Sequence, residues 1–279
     1  MKKILIVLFL GSVGFCAAVQ PAGAQDAFWE RIRGQNARMT AVQPTWMAPL
    51  VQSDSRLGQA VRLSVAQSNA PGERVVSYGN NHGIDVIAGT RWQLEAVPPS
   101  FFRNHSGAFP DGFGNALAEV KYRIASGNAE HGDFAVTAIL VEGFGPRAYQ
   151  NGALTSYSVP RLAAGKAFGP FSVQSTVDGV LPRGKVDQQG RAVDWNVTGQ
   201  VHGTARTWFD VEDNAAFLIG GPCGGKTQNF LTPAGFLLIR ENGWGFRHPA
   251  AVIDGGMQIA TSRFHFYDHN VITEIRILF

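Results

Sequence analysis

Val271-Ile272-Thr273-Glu274-Ile275-Arg276-Ile277-Leu278-Phe279 closes the chain. Counting back from Phe279, every second residue (Ile277, Ile275, Thr273, Val271) is one that lipid accepts, while the intervening set carries Arg276 and Glu274. Side chains with period two define a strand with one apolar and one partly charged face. Ending such a strand on an aromatic residue and its carboxylate fits the last strand of a transmembrane β-barrel meeting the inner interface. An edge strand of a soluble sandwich would alternate in the same way.

The opposite end of the chain favours the membrane reading. Lys2 and Lys3 precede an apolar core that begins at Ile4–Leu10, and Ala22-Gly23-Ala24 is a small-x-small cleavage site. Residues 1–24 therefore read as a secretory signal peptide cleaved before Gln25. It is too short and wrongly flanked to span a membrane. Cys16 follows Phe15, where a lipoprotein signal requires a small residue, so no lipid anchor is expected. Signal peptide and C-terminal aromatic strand together point to the outer membrane of a Gram-negative type of cell.

Composition agrees. Two of the 24 basic residues fall in residues 1–24, leaving 22 against 21 acidic ones, a nearly neutral mature chain. That leaves no electrostatic footprint for nucleic acid, and none is expected as a partner. Of the two cysteines only Cys223 survives cleavage, so no internal disulfide braces the fold. After residue 24 there is no apolar run of about 18 residues and hence no candidate transmembrane helix. Abundant glycine (33 residues) and low charge (16%) suit a glycine-turned all-β chain.

Residues 25–55 read as a periplasmic lead-in or a small plug. From residue 56 to 279 the chain is a series of short alternating segments, clearest at 191–203, 171–181 and 116–125. Strands are predicted near 56–67, 80–88, 91–98, 115–126, 132–144, 154–166, 170–181, 191–203, 206–218, 228–240, 248–263 and 269–279. Tight connections at 88–90, 126–131, 166–169 and 203–205 alternate with longer ones at 68–79, 99–114, 145–153, 182–190 and 219–227. Short periplasmic turns, long outer loops and an even strand count describe an antiparallel up-and-down transmembrane β-barrel of about twelve strands. Aromatics near the predicted strand ends, among them Trp92, Phe102, Phe144, Phe168, Phe171, Trp208, Trp244, Phe246 and Tyr267, fit interfacial girdles.

Alternation assigns a set of charged and polar side chains to the lumen: Arg62, Glu95, Glu119, Lys121, Arg123, Asp178, Asp194, His202, Asp210, Glu212, Asp254, Glu274 and Arg276. Mixed charge on facing strands lines a water-filled pore or forms a salt-bridged interior that braces the barrel. Phe279 is the expected assembly signal.

Three motifs resemble chemistry. Gly220-Gly221-Pro222-Cys223-Gly224-Gly225-Lys226-Thr227 matches a phosphate-binding loop, but Pro233 and turn-type residues stand where that loop's helix must begin. His265-Phe266-Tyr267-Asp268-His269 holds two imidazoles and a carboxylate without identifiable partner ligands, and no metal or cofactor is expected. Asn104-His105-Ser106-Gly107 has the residue types of a lipid hydrolase. Adjacent His and Ser point to opposite sides of an extended chain, so this pair is no catalytic dyad.

Asp111-Gly112-Phe113-Gly114-Asn115-Ala116-Leu117-Ala118-Glu119-Val120-Lys121-Tyr122-Arg123 resembles a signature of the transporter-like outer-membrane barrels named after the phenol meta-cleavage pathway. In that family a D-G-x-G-D-like turn leads into a strand ending in K-Y-R or similar. Asn115 departs from it, standing where the family usually has an acidic residue. Gly256-Met257-Gln258-Ile259 and the closing strand fit as well. The resemblance implies a channel for small molecules, hydrophobic or aromatic ones among them, and supplies no catalytic residue.

The expected function is a non-enzymatic outer-membrane channel for passive uptake or export of small solutes. Its expected partners are membrane lipid and the barrel assembly machinery. An outer-membrane lipid hydrolase and a soluble periplasmic ligand-binding β-barrel are the alternatives.

Overall fold

The computed structural model describes residues 30–31, 34–79, 82–105, 110–145, 151–240 and 250–279. The expected signal peptide, Ser106, Gly107, Trp244 and Phe246 lie outside these residues. Strand predominates, at 63%: β1 (Ala60–Ala70), β2 (Glu73–Tyr78), β3 (Gly83–Ala88), β4 (Trp92–Val97), β5 (Phe101–Asn104), β6 (Gly112–Phe113) and β7 (Ala116–Gly127). There follow β8 (Phe134–Phe144), β9 (Tyr157–Phe168), β10 (Phe171–Pro182), β11 (Arg191–Thr204), β12 (Thr207–Ile219), β13 (Thr227–Arg240), β14 (Ala250–Ala260) and β15 (His269–Leu278).

Fifteen strands make twelve staves. β1 pairs with β2 along its second half and with β3 at its start, so β2 and β3 are two halves of one stave. β4 and β5 form the next stave, and β6 and β7 the one after, because β5 pairs with β2 and β6 while β4 pairs with β3 and β7. All pairings are antiparallel, and β15 returns to β1 from Ala60↔Leu278 to Asn69↔His269, closing the sheet. Closure removes the unpaired edges that would otherwise recruit another chain.

The staves match the sequence expectation, with two corrections. The stretch 68–79, expected as a loop, is mostly β1 and β2 joined by a two-residue turn at Gly72. Gly72 has φ of +76°, a conformation glycine reaches without Cβ strain. Within 99–114, residues of β5 and β6 continue the sheet instead of looping out. Both stretches were missed because Pro71-Gly72, Pro98-Pro99 and Pro110 break them into short pieces, so no long period-two run stands out there.

Each stave sorts its side chains. On β10, Phe171, Val173, Val177 and Leu181 face outward and are exposed, Phe171 by 57%, while Ser172, Gln174, Thr176 and Asp178 face in and are buried. β15 repeats the pattern, with Val271, Ile275 and Ile277 out and Glu274 and Arg276 in. The outside is thus an apolar belt on strands of 10–14 residues, and a tilted strand of about 9–11 residues crosses a bilayer core. Trp92, Phe144 and Phe168 join that outer face. Three of the expected girdle aromatics do not. Phe102 lines the lumen cavity. Trp208 turns inward and is buried, and the Tyr267 hydroxyl donates to Gln258 Oε1 at 2.9 Å inside the barrel.

Candidate functional site

An open twelve-stave lumen would leave inward side chains wet. Here they are buried: Thr137, Gln174, Thr176, Thr198, Glu212 and Glu274 expose almost nothing. What covers them is the segment before β1. Residues 43–57 form a loop whose neck is closed by Gln43 Nε2 donating to the Leu57 carbonyl at 2.7 Å and Leu57 N–H donating to Gln43 Oε1 at 3.2 Å. Ends that close and side chains that pack within the loop are the marks of an Ω-loop. Within it Trp46 Nε1 donates to Asp54 and lies beneath the Arg56 guanidinium, 5.9 Å from the ring centroid.

One carboxylate and one guanidinium hold the middle of the loop. Glu212 on β12 accepts the N–H groups of Leu50 at 2.6 Å, Val51 at 3.0 Å and Gln52 at 3.0 Å. Arg276 on β15 donates to the carbonyls of Ala48 at 2.7 Å and Pro49 at 3.0 Å. Consecutive peptide groups that no sheet or helix satisfies thus find charged partners on the wall, which buried backbone requires. Glutamines add to the hold. Gln200 bonds both the N–H and the carbonyl of Met47, and Gln174 reaches Met47 and Ser55. Gln93 accepts from Gly58 N–H at 2.7 Å, and Arg161 donates to Ser53.

Two wall glycines provide seats. A Cβ at Gly165 would stand 2.8 Å from the Trp46 ring and from Ser55 Oγ, and one at Gly256 would stand 2.8 Å from Leu50 Cδ2. Leu50 itself sits among Ala66, Trp208, Phe236, Val252 and Ile272, an apolar cluster inside the barrel.

The remaining charges form a belt. Across neighbouring staves the register sets Asp85 opposite Glu95, Glu95 opposite Glu119, Asp178 opposite Asp194, and Asp254 opposite Glu274. Directly opposed like charges destabilise a sheet. Cations offset this: Arg62 bridges Asp85 and Glu95, Arg276 bridges Asp254 and Glu274, Lys121 and Arg161 meet Glu119, and Arg161 also meets Asp178, the partner of Asp194.

All thirteen side chains assigned to the lumen from sequence lie on the inward faces of their strands. Their surroundings differ. Arg123 sits at the end of the barrel where β15 ends at Leu278, donating to the Met39 and Thr90 carbonyls. His202 is exposed at the same rim, its ring stacked 4.5 Å from Trp208. Asp210 is buried with neither carboxylate oxygen hydrogen-bonded. Arg161, Asp85 and the binding glutamines were not singled out from sequence. The alternation of β3 and β9 already places Asp85 and Arg161 inward, but uncharged glutamines carry no periodic signal of their own.

Two of the three motifs lie within the described residues, and of Asn104–Gly107 only Asn104 and His105 do. After Gly220 to Gly225 comes strand β13 instead of a helix, and Lys226 Nζ stands 4.5 Å over the Phe264 ring. His265 bonds Asp268 Oδ1 and the Ser262 carbonyl, and among the described residues no group of three potential ligands could hold a metal ion. No histidine ring nitrogen among the described residues meets a serine hydroxyl.

Between the loop and the wall runs a cavity of about 1040 Å³. Its lining reaches from His202, Ala250 and Leu278 near Phe279 to Gln258, Tyr267 and Asn270 in the far half of the barrel.

No protein-family description matches the chain, and no curated protein matches it. Among solved structures, a NanC porin in a rhombohedral crystal form matches with a TM-score of 0.52 at 9% identity, covering 79% of this chain and 99% of that one. At that identity the likeness shows the fold, a porin-like β-barrel. It lends no support to the resemblance with the phenol meta-cleavage barrels.

Proposed function

We propose that the protein is an outer-membrane channel for passive passage of small solutes, narrowed by the Ω-loop 43–57. The observation that carries this reading is the cavity. It passes beside the loop from one half of the lumen to the other, within a barrel whose outside is an apolar belt. A barrel that is apolar outside and polar inside is built to seat in lipid and hold water. The lumen residues then divide their work. Those that clamp the loop, Glu212, Arg276, Gln200 and Gln174, set the bore. The belt of Arg62, Glu95, Glu119, Lys121 and Arg161 sets the field along the cavity. The sequence resemblance suggests hydrophobic or aromatic solutes, while the charged belt and inward glutamines of the cavity wall offer hydrogen bonds to polar ones.

The test is reconstitution into planar bilayers and swelling of proteoliposomes in sugars and aromatic acids. Small, discrete KCl conductance steps are expected. An electrically silent barrel that cleaves phospholipid would sink this reading in favour of the hydrolase.

In the same reading Phe279 is the signal recognised by the barrel assembly machinery. Its carbonyl is held by Asn36 Nδ2 at 2.8 Å and Gln59 Nε2 at 3.1 Å, at the seam where β15 meets β1. Deleting Phe279 is expected to lower the heat-modifiable, folded fraction in outer membranes. Normal assembly of the truncated chain would remove that role.

A further inference from the structure

The far half of the cavity differs from the charged belt. Two adjoining rows of its wall, read from the strand register, carry no charge. One runs Gln258–Asn270–Ser68–Val75 across β14, β15, β1 and β2. The next runs Ile272–Ala66–Ser77–Phe102 across β15, β1, β2 and β5. All eight side chains line the cavity.

Hydrogen-bonding capacity in these rows is left unused. Among the described residues Ser77 Oγ and Asn270 Oδ1 have no partner, although the two residues are only 6% and 8% exposed. Gln258 Oε1 accepts from Tyr267 at 2.9 Å and Asn270 Nδ2 at 3.1 Å, which orients that amide, while its own nitrogen donates to nothing among the described residues. A hydroxyl, an amide oxygen and an amide nitrogen therefore share one wall with the ring of Phe102. A buried polar group without a partner is costly, and a ligand able to pair with it recovers that loss.

We propose that this uncharged wall is a binding subsite for neutral, hydroxyl-bearing solutes of mono- or disaccharide size. This deepens the channel reading and rests on it for its role in passage. Sugar hydroxyls donate and accept at once, matching the mixed groups of Ser77, Asn270 and Gln258, and the apolar face of a sugar ring fits against Phe102. An ionic solute fares worse here. The charges deeper on the same wall are engaged, Arg276 with Asp254, Glu274 and the loop, and Arg62 with Asp85 and Glu95. Desolvating a charge without a counter-charge disfavours binding. An aromatic hydrocarbon would leave Ser77 and Asn270 unpaired, and a site built to bond hydroxyls rejects analogues lacking them.

Calorimetric titration of the detergent-solubilised, folded protein with maltose, glucose 6-phosphate and benzoate tests the subsite independently of conductance. Maltose is expected to bind, and the two anions more weakly. Ser77→Ala and Asn270→Leu, each checked for folding by heat-modifiable migration, are expected to weaken maltose by roughly 5- to 30-fold. Ser77→Ala removes a hydroxyl that bonds nothing among the described residues, so it is expected to leave the fold intact. No maltose binding, equal or tighter binding of either anion, or unchanged maltose affinity in Ser77→Ala overturns the proposal. Maltose binding by a protein without KCl conductance would instead overturn the channel reading and leave the subsite standing.

Discussion

Excising residues 44–56 and joining Gln43 to Leu57 through two glycines will raise single-channel conductance several-fold. The loop neck makes this a clean operation, because Gln43 and Leu57 already bond each other on both sides. Removing the loop strips the cover from Glu212, Arg276, Gln174, Gln200 and Thr198 and returns them to water, so the wall keeps its charges and gains bore. No strand hydrogen bond is touched, and the twelve-stave closure persists. Gly165→Val gives a milder version of the same effect. Its added carbons occupy the space of the Trp46 ring and Ser55 Oγ, both on the loop, so the loop yields while the wall stays. Larger conductance steps and faster liposome swelling in both variants are the expected readouts. Wild-type conductance in the excised protein would mean that the loop does not limit passage.

Replacing Arg276 by Met will destabilise the folded barrel by about 3–5 kcal/mol, the usual cost of removing one partner from a buried ionic cluster. Arg276 Nε stands 2.8 Å from Asp254 Oδ2 and 2.5 Å from Glu274 Oε1, and the three residues are 4%, 2% and 1% exposed. Without the guanidinium, two directly opposed carboxylates face each other across β14 and β15, and the Ala48 and Pro49 carbonyls lose their donor. Adding Asp254→Asn and Glu274→Gln to Arg276→Met removes the uncompensated charge, so the triple variant is expected to recover much of the loss. Urea unfolding followed by heat-modifiable migration measures both. An unchanged midpoint in Arg276→Met alone would show that the cluster contributes nothing to holding the barrel.

The two predictions concern regions of very different legibility. Arg276 and its carboxylates were readable because strand alternation is local. Ile275 and Ile277 on one side of the backbone fix Arg276 to the other, whatever the rest of the chain does. The same logic placed Glu119, Lys121 and Asp178 inward and located nearly every stave. It failed at 68–79 and at 99–114, where prolines and glycines break the strands into short pieces. It also misplaced Phe102, Trp208 and Tyr267, because an aromatic near a strand end can face either side and composition does not say which.

The loop was not readable in this way. Residues 43–57 have no period, and their partners on the wall lie about 110 to 230 residues further along the chain. Unlike a pattern, such contacts exist only once the sheet has closed and brought β10, β11, β12 and β15 around one axis. Gln174 and Gln200 are ordinary inward polar residues until a backbone without sheet partners passes within reach.

By itself, then, the sequence determined the strands, their inward and outward faces and the closing of an apolar-sided barrel, because each of these follows from the two-residue period of an extended backbone. Only the tertiary structure decided that the lumen is occupied by the chain's own loop, that its charges are paired across staves, and that one wall of the remaining cavity is uncharged. Those are matters of which distant residues share a row, and register between staves is set by the closed sheet as a whole.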